Sequence, residues 1–170
     1  GSATVALSEE ELETLPRSKI ILVTVPDGEI LRTAERIAAL EASARGRSVL
    51  HTSGALAASE VLAPLAVAGF AIGSIHPLVS ISEPRSGAEK LRGAFYCVEG
   101  DAASRRVARS LVKDLQGHPF HIDSESKPLY HAAAVMASPA RAAQRSARSQ
   151  VPGRASTSSV ARPAAIASGL

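Results

Sequence analysis

Lys127, Tyr130 and His131 stand at i, i+3 and i+4, so a helix presents all three on one face. A lysine whose pKa is lowered by desolvation can hand a proton to a carbonyl or imine, and a histidine one turn on can orient the substrate. The same triplet also reads as a solvated lysine beside a helix-packing Tyr–His pair. His76 follows an apolar run and precedes Pro77, which biases its backbone to an extended form. A neutral imidazole there can donate to a substrate carbonyl or carboxylate, or it can be a satisfied structural histidine. In His51-Thr52-Ser53-Gly54 the Ser53 hydroxyl can meet a ligand oxygen and Gly54 permits close backbone approach. A turn rich in side-chain-to-backbone bonds would use those residues equally well. Thr24-Val25-Pro26-Asp27 closes another apolar run, where Pro26 stops a strand and Asp27 can cap a helix. His118 and His121 point to opposite faces of a strand-like segment, and no Cys or acid completes a ligand set, so no metal is expected.

The elements that must position these residues alternate. Lys19–Val25 is a continuous apolar run, which predicts a strand buried on both faces as in a parallel sheet. Ile30, Ala34, Ile37 and Ala38 then fall at helical spacing. Ser48–Thr52 reads as the next strand, 58–68 as a helix interrupted at Pro64, and Phe70–Ile75 as a third strand. Ala94–Val98 is a fourth, with Cys97 as a core residue. Asp101 caps a helix with the apolar stripe Val107, Leu111 and Leu115. Pro119–Ile122 is a fifth strand, and the chain turns helical from Ser124 through Met136. Ser8-Glu9-Glu10-Glu11 matches a capping box and predicts a short helix to Leu15. The fold class is α/β, a mostly parallel sheet flanked by helices. In such sheets ligands lie at the C-terminal strand ends, where Asp27, Ser53 and His76 fall.

Composition narrows the function. Aromatic residues make up 3% of the 170 and tryptophan is absent, so the core is built from Ala, Val, Leu and Ile. One cysteine excludes an internal disulfide and makes a cytoplasmic setting the expectation. No apolar run approaches the ~20 residues of a membrane span, so no membrane partner is expected. The pI near 9.4 comes from the end of the chain. Five of the 19 Lys and Arg lie in 139–170 with no acid, leaving 14 against all 16 acids in 1–138, a net −2. That body offers no phosphate-binding surface, and the Arg-rich end lacks the interleaved aromatics of an RNA-binding arm, so no nucleic acid is expected. Residues 139–170 read as a disordered Ala/Arg/Ser tail.

Three stretches in order complete the reading: Leu22-Val23-Thr24-Val25-Pro26-Asp27; His51-Thr52-Ser53-Gly54-Ala55-Leu56 with Gly73-Ser74-Ile75-His76-Pro77-Leu78; and Lys127-Pro128-Leu129-Tyr130-His131-Ala132-Ala133-Ala134. Over residues 3–138 the chain resembles bacterial proteins that join a Rossmann-like domain to a helical C-terminal domain of unknown function 2520. These are distant relatives of pyrroline-5-carboxylate reductase and the β-hydroxyacid dehydrogenases. The resemblance implies the remainder of a Rossmann-like dinucleotide-binding domain in 1–78, and further strands leading into the helical domain in 79–138. It implies an NAD(P)-dependent oxidoreductase of a small-molecule substrate, with NADP or NAD beside Thr24, Val25, Pro26, Asp27, Thr52 and Gly54. Lys127, His131, Ser53 and His76 would carry the chemistry. The β-hydroxyacid dehydrogenases pair a catalytic Lys with an amide residue four positions on, and here His131 takes that second place. The family opens with a strand and a Gly-x-Gly-x-x-Gly turn that cradles pyrophosphate, and no such motif stands in these 170 residues. The chain is therefore expected to be N-terminally truncated and a feeble cofactor binder alone. A homodimer is expected through an exposed sheet edge. The alternatives are a non-catalytic α/β binding or dimerisation module, or an inactive fragment.

Overall fold

In the computed structural model of the chain, residues 6, 8, 11–40, 44, 46–80 and 84–137 are described. Ser8 N–H donates to Glu11 Oε2 (2.8 Å) and Glu11 N–H to Ser8 Oγ (3.3 Å), the two bonds of the expected capping box. No helix follows it over Glu11–Leu15. Pro16 pushes its predecessor out of helical conformation, and too few residues remain to repay nucleation.

Strand β1 (Ile20–Val23) leads through a 3-10 turn (Asp27–Glu29) into helix α1 (Ile30–Leu40). Strand β2 (Ser48–His51), helices α2 (Ala58–Val61) and α3 (Ala63–Val67), and strand β3 (Ala71–Pro77) follow. Pro64 occupies the first turn of α3, where its missing N–H costs nothing, so the expected interruption is a helix start. Helix α4 (Pro84–Leu91), strand β4 (Phe95–Gly100), helix α5 (Ala102–Asp114) and strand β5 (His118–His121) come next. A 3-10 turn (Ser124–Ser126) enters helix α6, residues 127–137. The Arg-rich 139–170 lies outside the described residues.

The five strands lie in the order β1-β2-β3-β4-β5. All neighbours are parallel except β3 and β4, so the sheet is mostly parallel, as expected for an α/β fold. β1 is an edge strand, not one buried on both faces: Val23 is buried but Leu22 is 51% exposed. Its apolar run reflects a strand covered on the Val23 side alone.

Period-two alternation sorts the side chains into two cores. Val23, Val49 and Ile72 face α1, α2 and α3 through Ile30, Ala34, Ile37, Ala58, Leu62 and Leu65. Leu50, Ile75, Tyr96 and Val98 face α5 through Ala108 and Val112. The expected α5 stripe is thus displaced by one position. Ser104, Ala108 and Val112 are the buried row, while Val107 and Leu111 flank it and Leu115 is exposed. The small row wins because α5 sits close to the sheet at Gly73, and a Cβ on Gly73 would meet Ser104 Oγ at 2.6 Å.

Asp101 fixes that approach. Its carboxylate accepts from Ala103 N–H and Ser104 N–H (2.8 Å each) and from Ile72 N–H (2.7 Å), so one side chain caps α5 and ties it to β3. Gly100, just before it, has φ +127°, and a Cβ there would run into Gly73 Cα and Ile72 O. Gly100→Ala is expected to destabilise the fold by about 2–4 kcal/mol in urea unfolding. Gly28→Ala, where a Cβ meets nothing within 4 Å, should change it by less than about 1 kcal/mol.

Candidate functional site

Aligned register across the sheet stacks three rows on the face covered by α1–α3 and α6. Ile21, Val49 and Ile72 form an apolar row, and Val23, His51, Ser74 and Glu99 the next. His76, Cys97 and Phe120 form the third, nearest the C-terminal ends of β1, β2 and β3. The polarity of the face therefore rises toward the edge where ligands sit in open α/β sheets.

The second row is polar and sealed. Glu99 is 1% exposed and Lys127 is 0% exposed, with Nζ 3.7 Å from Glu99 Oε2. Lys127 Nζ also donates to Ser53 O (3.0 Å) and Leu56 O (2.6 Å), so two hydrogen bonds and one ion pair hold the ammonium group. Glu99 Oε2 accepts from Ala58 N–H (3.2 Å) and Ser74 Oγ (3.0 Å), and Oε1 accepts from Ser124 Oγ (2.8 Å). The residue before α2 is Ala57, which has no capping oxygen, and the β4 carboxylate takes that duty. Burial lowers the Lys127 pKa, and the Glu99 charge opposes that shift.

His51 is 0% exposed. Its Nδ1 accepts from Ser53 N–H (3.2 Å), which leaves the ring proton on Nε2, and Nε2 is buried without a partner. Burial, then the Lys127 charge, then His76, push its pKa from 6.5 down to about 3.

The third row reaches the rim. His76 lies inside β3, opposite Cys97, and not beyond the strand end. Strand pairing continues through Pro77, which needs no N–H on its unpaired side. His76 Nδ1 is 2.8 Å from Tyr130 OH, and the Tyr130 ring stands edge-on to both His76 and Phe120, 5.8 Å between centroids in each case. A Cβ on Gly54 would lie 2.8 Å from His76 Cε1 and Nε2, so only glycine lets this loop pass the imidazole. Burial lowers the His76 pKa, helped by the Lys127 and His131 charges and opposed by Asp27. Cys97 is buried and its thiol is raised to about 11 by burial.

Ser53 Oγ donates to Asp27 Oδ2 (2.9 Å) and accepts from Ala55 N–H and Leu56 N–H (3.2 Å each). The expected turn bonds and the link between two strand tips thus coexist in one hydroxyl. Thr24, Pro26 and Asp27 are exposed, and Val25 and Thr52 are half-buried. His131 is half-buried and its Nδ1 has no partner. The structure brings Asp27, Ser53, Gly54, His76, Lys127 and Tyr130 into one connected network. Glu99 was not foreseen: it ends an apolar strand, and nothing in its local spacing points to Lys127.

Family models match two stretches: a Rossmann-like domain over residues 5–77 and a domain of unknown function, DUF2520, over residues 94–158. The chain is a Rossmann-like protein with a DUF2520 domain. Protein TM1727 from Thermotoga maritima is similar at 25% identity and TM-score 0.60, over 84% of this chain and 54% of that one. A reductive aminase from Aspergillus terreus, solved with NADPH and ethyl-5-oxohexanoate, matches at 16% identity and TM-score 0.54, over 81% and 48%. Prephenate dehydrogenase from Aquifex aeolicus, solved with hydroxyphenyl propionate and NAD+, matches at 9% and TM-score 0.51, over 64% and 40%. The last two likenesses establish the fold. The chain spans about half the length of the structures it matches. Comparison with curated protein sequences returned no match. No helix among the described residues is long and apolar enough to cross a membrane.

Two measurements test the buried row. Glu99→Ala strands the Lys127 charge and is expected to cost about 3–5 kcal/mol in chemical denaturation. Adding Lys127→Met should recover only part of it, because the Ala58, Ser74 and Ser124 donors stay unmet. His51 adds a pH dependence. Unfolded it takes a proton near pH 6.5, and folded it resists to about pH 3. Its contribution is complete above about pH 6.5 and is lost as pH falls toward 3, by up to roughly 5 kcal/mol. His51→Gln should flatten the stability–pH curve in that window, and an unchanged slope would contradict the assignment.

Proposed function

We propose that this chain is part of an NAD(P)-dependent oxidoreductase that acts on a carbonyl or imine of a small molecule at the rim of β1, β2 and β3. The observation that carries this reading is the meeting of Asp27, Ser53, Gly54, His76 and Tyr130 from three strand tips and one helix. The structural neighbours solved with NADPH and NAD+ support the cofactor class.

The residues present suit a nicotinamide dinucleotide in one respect in particular. The Gly54 loop passes the His76 ring where a Cβ would collide, the kind of close backbone approach that a flat cofactor also needs. Exposed Thr24, Pro26 and Asp27, with Val25, Thr52 and Gly54, would hold the nicotinamide half. When bound, the cofactor supplies or accepts the hydride.

The chain's own residues handle the proton. His76 Nδ1 is hydrogen-bonded to Tyr130 OH, and Nε2 has no partner among the described residues. In the tautomer that carries its proton on Nε2, His76, kept neutral by burial, offers that proton as a hydrogen bond to a substrate oxygen or nitrogen. His131 flanks it on the next turn of α6 and orients the substrate. Ser53 aims Asp27 along the rim. Lys127 acts one layer down as a positioning residue, holding the Ser53–Leu56 carbonyls and hence the Gly54 loop.

A second reading rests on the outer edge of β1, where no strand pairs among the described residues and Leu22 is half-exposed. Such an edge suits a binding or dimerisation module. A monomer in sedimentation at high concentration would remove that reading.

The deciding experiment is a fluorescence titration of NADPH and NADH against the full gene product. Saturable binding of either is expected, and its absence with both would overturn the proposal. The 170-residue chain, with no Gly-x-Gly-x-x-Gly turn, should bind about tenfold more weakly or worse. In the full product, His76→Ala is expected to lower kcat by about 100-fold and leave cofactor affinity within roughly threefold.

A further inference from the structure

A second cluster of charge lies between α5 and β5. A groove of about 350 Å³ runs there, with Arg105, Arg106 and Arg109 on its α5 wall and Val98, Phe120 and His121 on its sheet side. Arg105 Nη1 is 2.7 Å from His121 Nε2. A guanidinium has only hydrogens to give, so Nε2 accepts, and the ring proton on Nδ1 donates to Val98 O at 3.0 Å. The sheet backbone thereby holds His121, and His121 holds the Arg105 fork over the groove.

Among the described residues no acid neutralises this charge. Arg106 and Arg109 have no hydrogen-bond or ion-pair partner among the described residues. Asp101, at the start of α5, has both carboxylate oxygens occupied by backbone N–H groups. Asp123 Oδ1 is 3.5 Å from His121 Nε2 and 81% exposed, so it faces the imidazole and solvent. Three guanidinium groups within one turn of helix repel one another until an anion enters, and their forks match the oxygens of a phosphate. The groove is larger than a phosphate alone, and the His121 ring, on the same sheet face as Val98, lines it beside the arginines.

We propose that this groove binds a phosphorylated small molecule, with the phosphate on Arg105, Arg106 and Arg109 and the organic part against His121. It is a separate site from the His76 rim and needs no nicotinamide cofactor.

NMR of the arginine side chains tests it on the 170-residue chain. The probes are inorganic phosphate and adenosine 5′-monophosphate at constant ionic strength, with chloride as the control. Saturable shifts at Arg105 and Arg109 are expected with both probes. The nucleotide should bind several-fold more tightly and also move the His121 ring resonances. Arg105→Gln with Arg109→Gln should weaken both by about tenfold or more, whereas His76→Ala leaves them unchanged. If the double variant does not fold, Arg106→Gln alone, at an exposed position, must still weaken binding. Equal, non-saturating shifts with chloride would overturn the proposal. So would undiminished affinity in the variants, or a response only to polyglutamate or an oligonucleotide.

Discussion

A charged pair sealed from water is the constraint around which the rest of this molecule is arranged. Lys127 and Glu99 come from elements 28 positions apart in sequence, and neither has access to solvent. Taking two charges into the interior costs several kcal/mol per ion, and Coulomb attraction at 3.7 Å alone does not offset it. What offsets it is the set of further partners. Two carbonyls, two hydroxyl donors and a helix N–H surround the pair, so little of its hydrogen-bonding capacity is left unmet. The segment between Ser53 and Ala58 has no regular structure, and the pair holds it through the Ser53 and Leu56 carbonyls and the Ala58 N–H.

The sheet face above the pair is graded. Its first row is wholly apolar and packs three helices, its second is polar but dry, and its third opens to the rim. A dry polar row under an open one lets the site hold neutral histidines. The Lys127 charge and lost hydration both disfavour a second cation, and His51 and His76 respond in the same direction. For His51 the Ser53 N–H selects Nε2 as the nitrogen that keeps the proton, while the Tyr130 hydroxyl holds His76 at Nδ1.

Element type was legible in the sequence wherever period and punctuation agreed. All five strands, the cap at Asp101 and the break at Pro64 follow from local rules. The departures have non-local causes. Glu11–Leu15 has a helix's opening bonds but no length in which to repay them. Leu22 reads as core because β-branched runs look alike at the edge and the centre of a sheet. The α5 stripe shifted by one position because Gly73 invites a close helix and rewards small residues. Asp27, Ser53 and Gly54 were legible as strand-tip residues, since α/β topology alone brings such tips together, whereas His76 lies within the longer β3. The burial of Lys127 was not, because its partner Glu99 lies on another element and carries no spacing signal.

The reversal between β3 and β4 has a consequence for the helix that ends the described chain. Because β5 follows β4 in direction, it finishes at the level of Ile75, set back from the rim. Helix α6 must then travel back over the face, meeting the sealed pair at Lys127 and the open rim one turn later at Tyr130 and His131. A single rigid rod therefore has its anchor at one end of a turn and its working groups at the other. Any sliding of α6 that re-aimed Tyr130 would tear an ammonium group from the Ser53 and Leu56 carbonyls, so the spatial setting of the rim is insured by the energy of the interior.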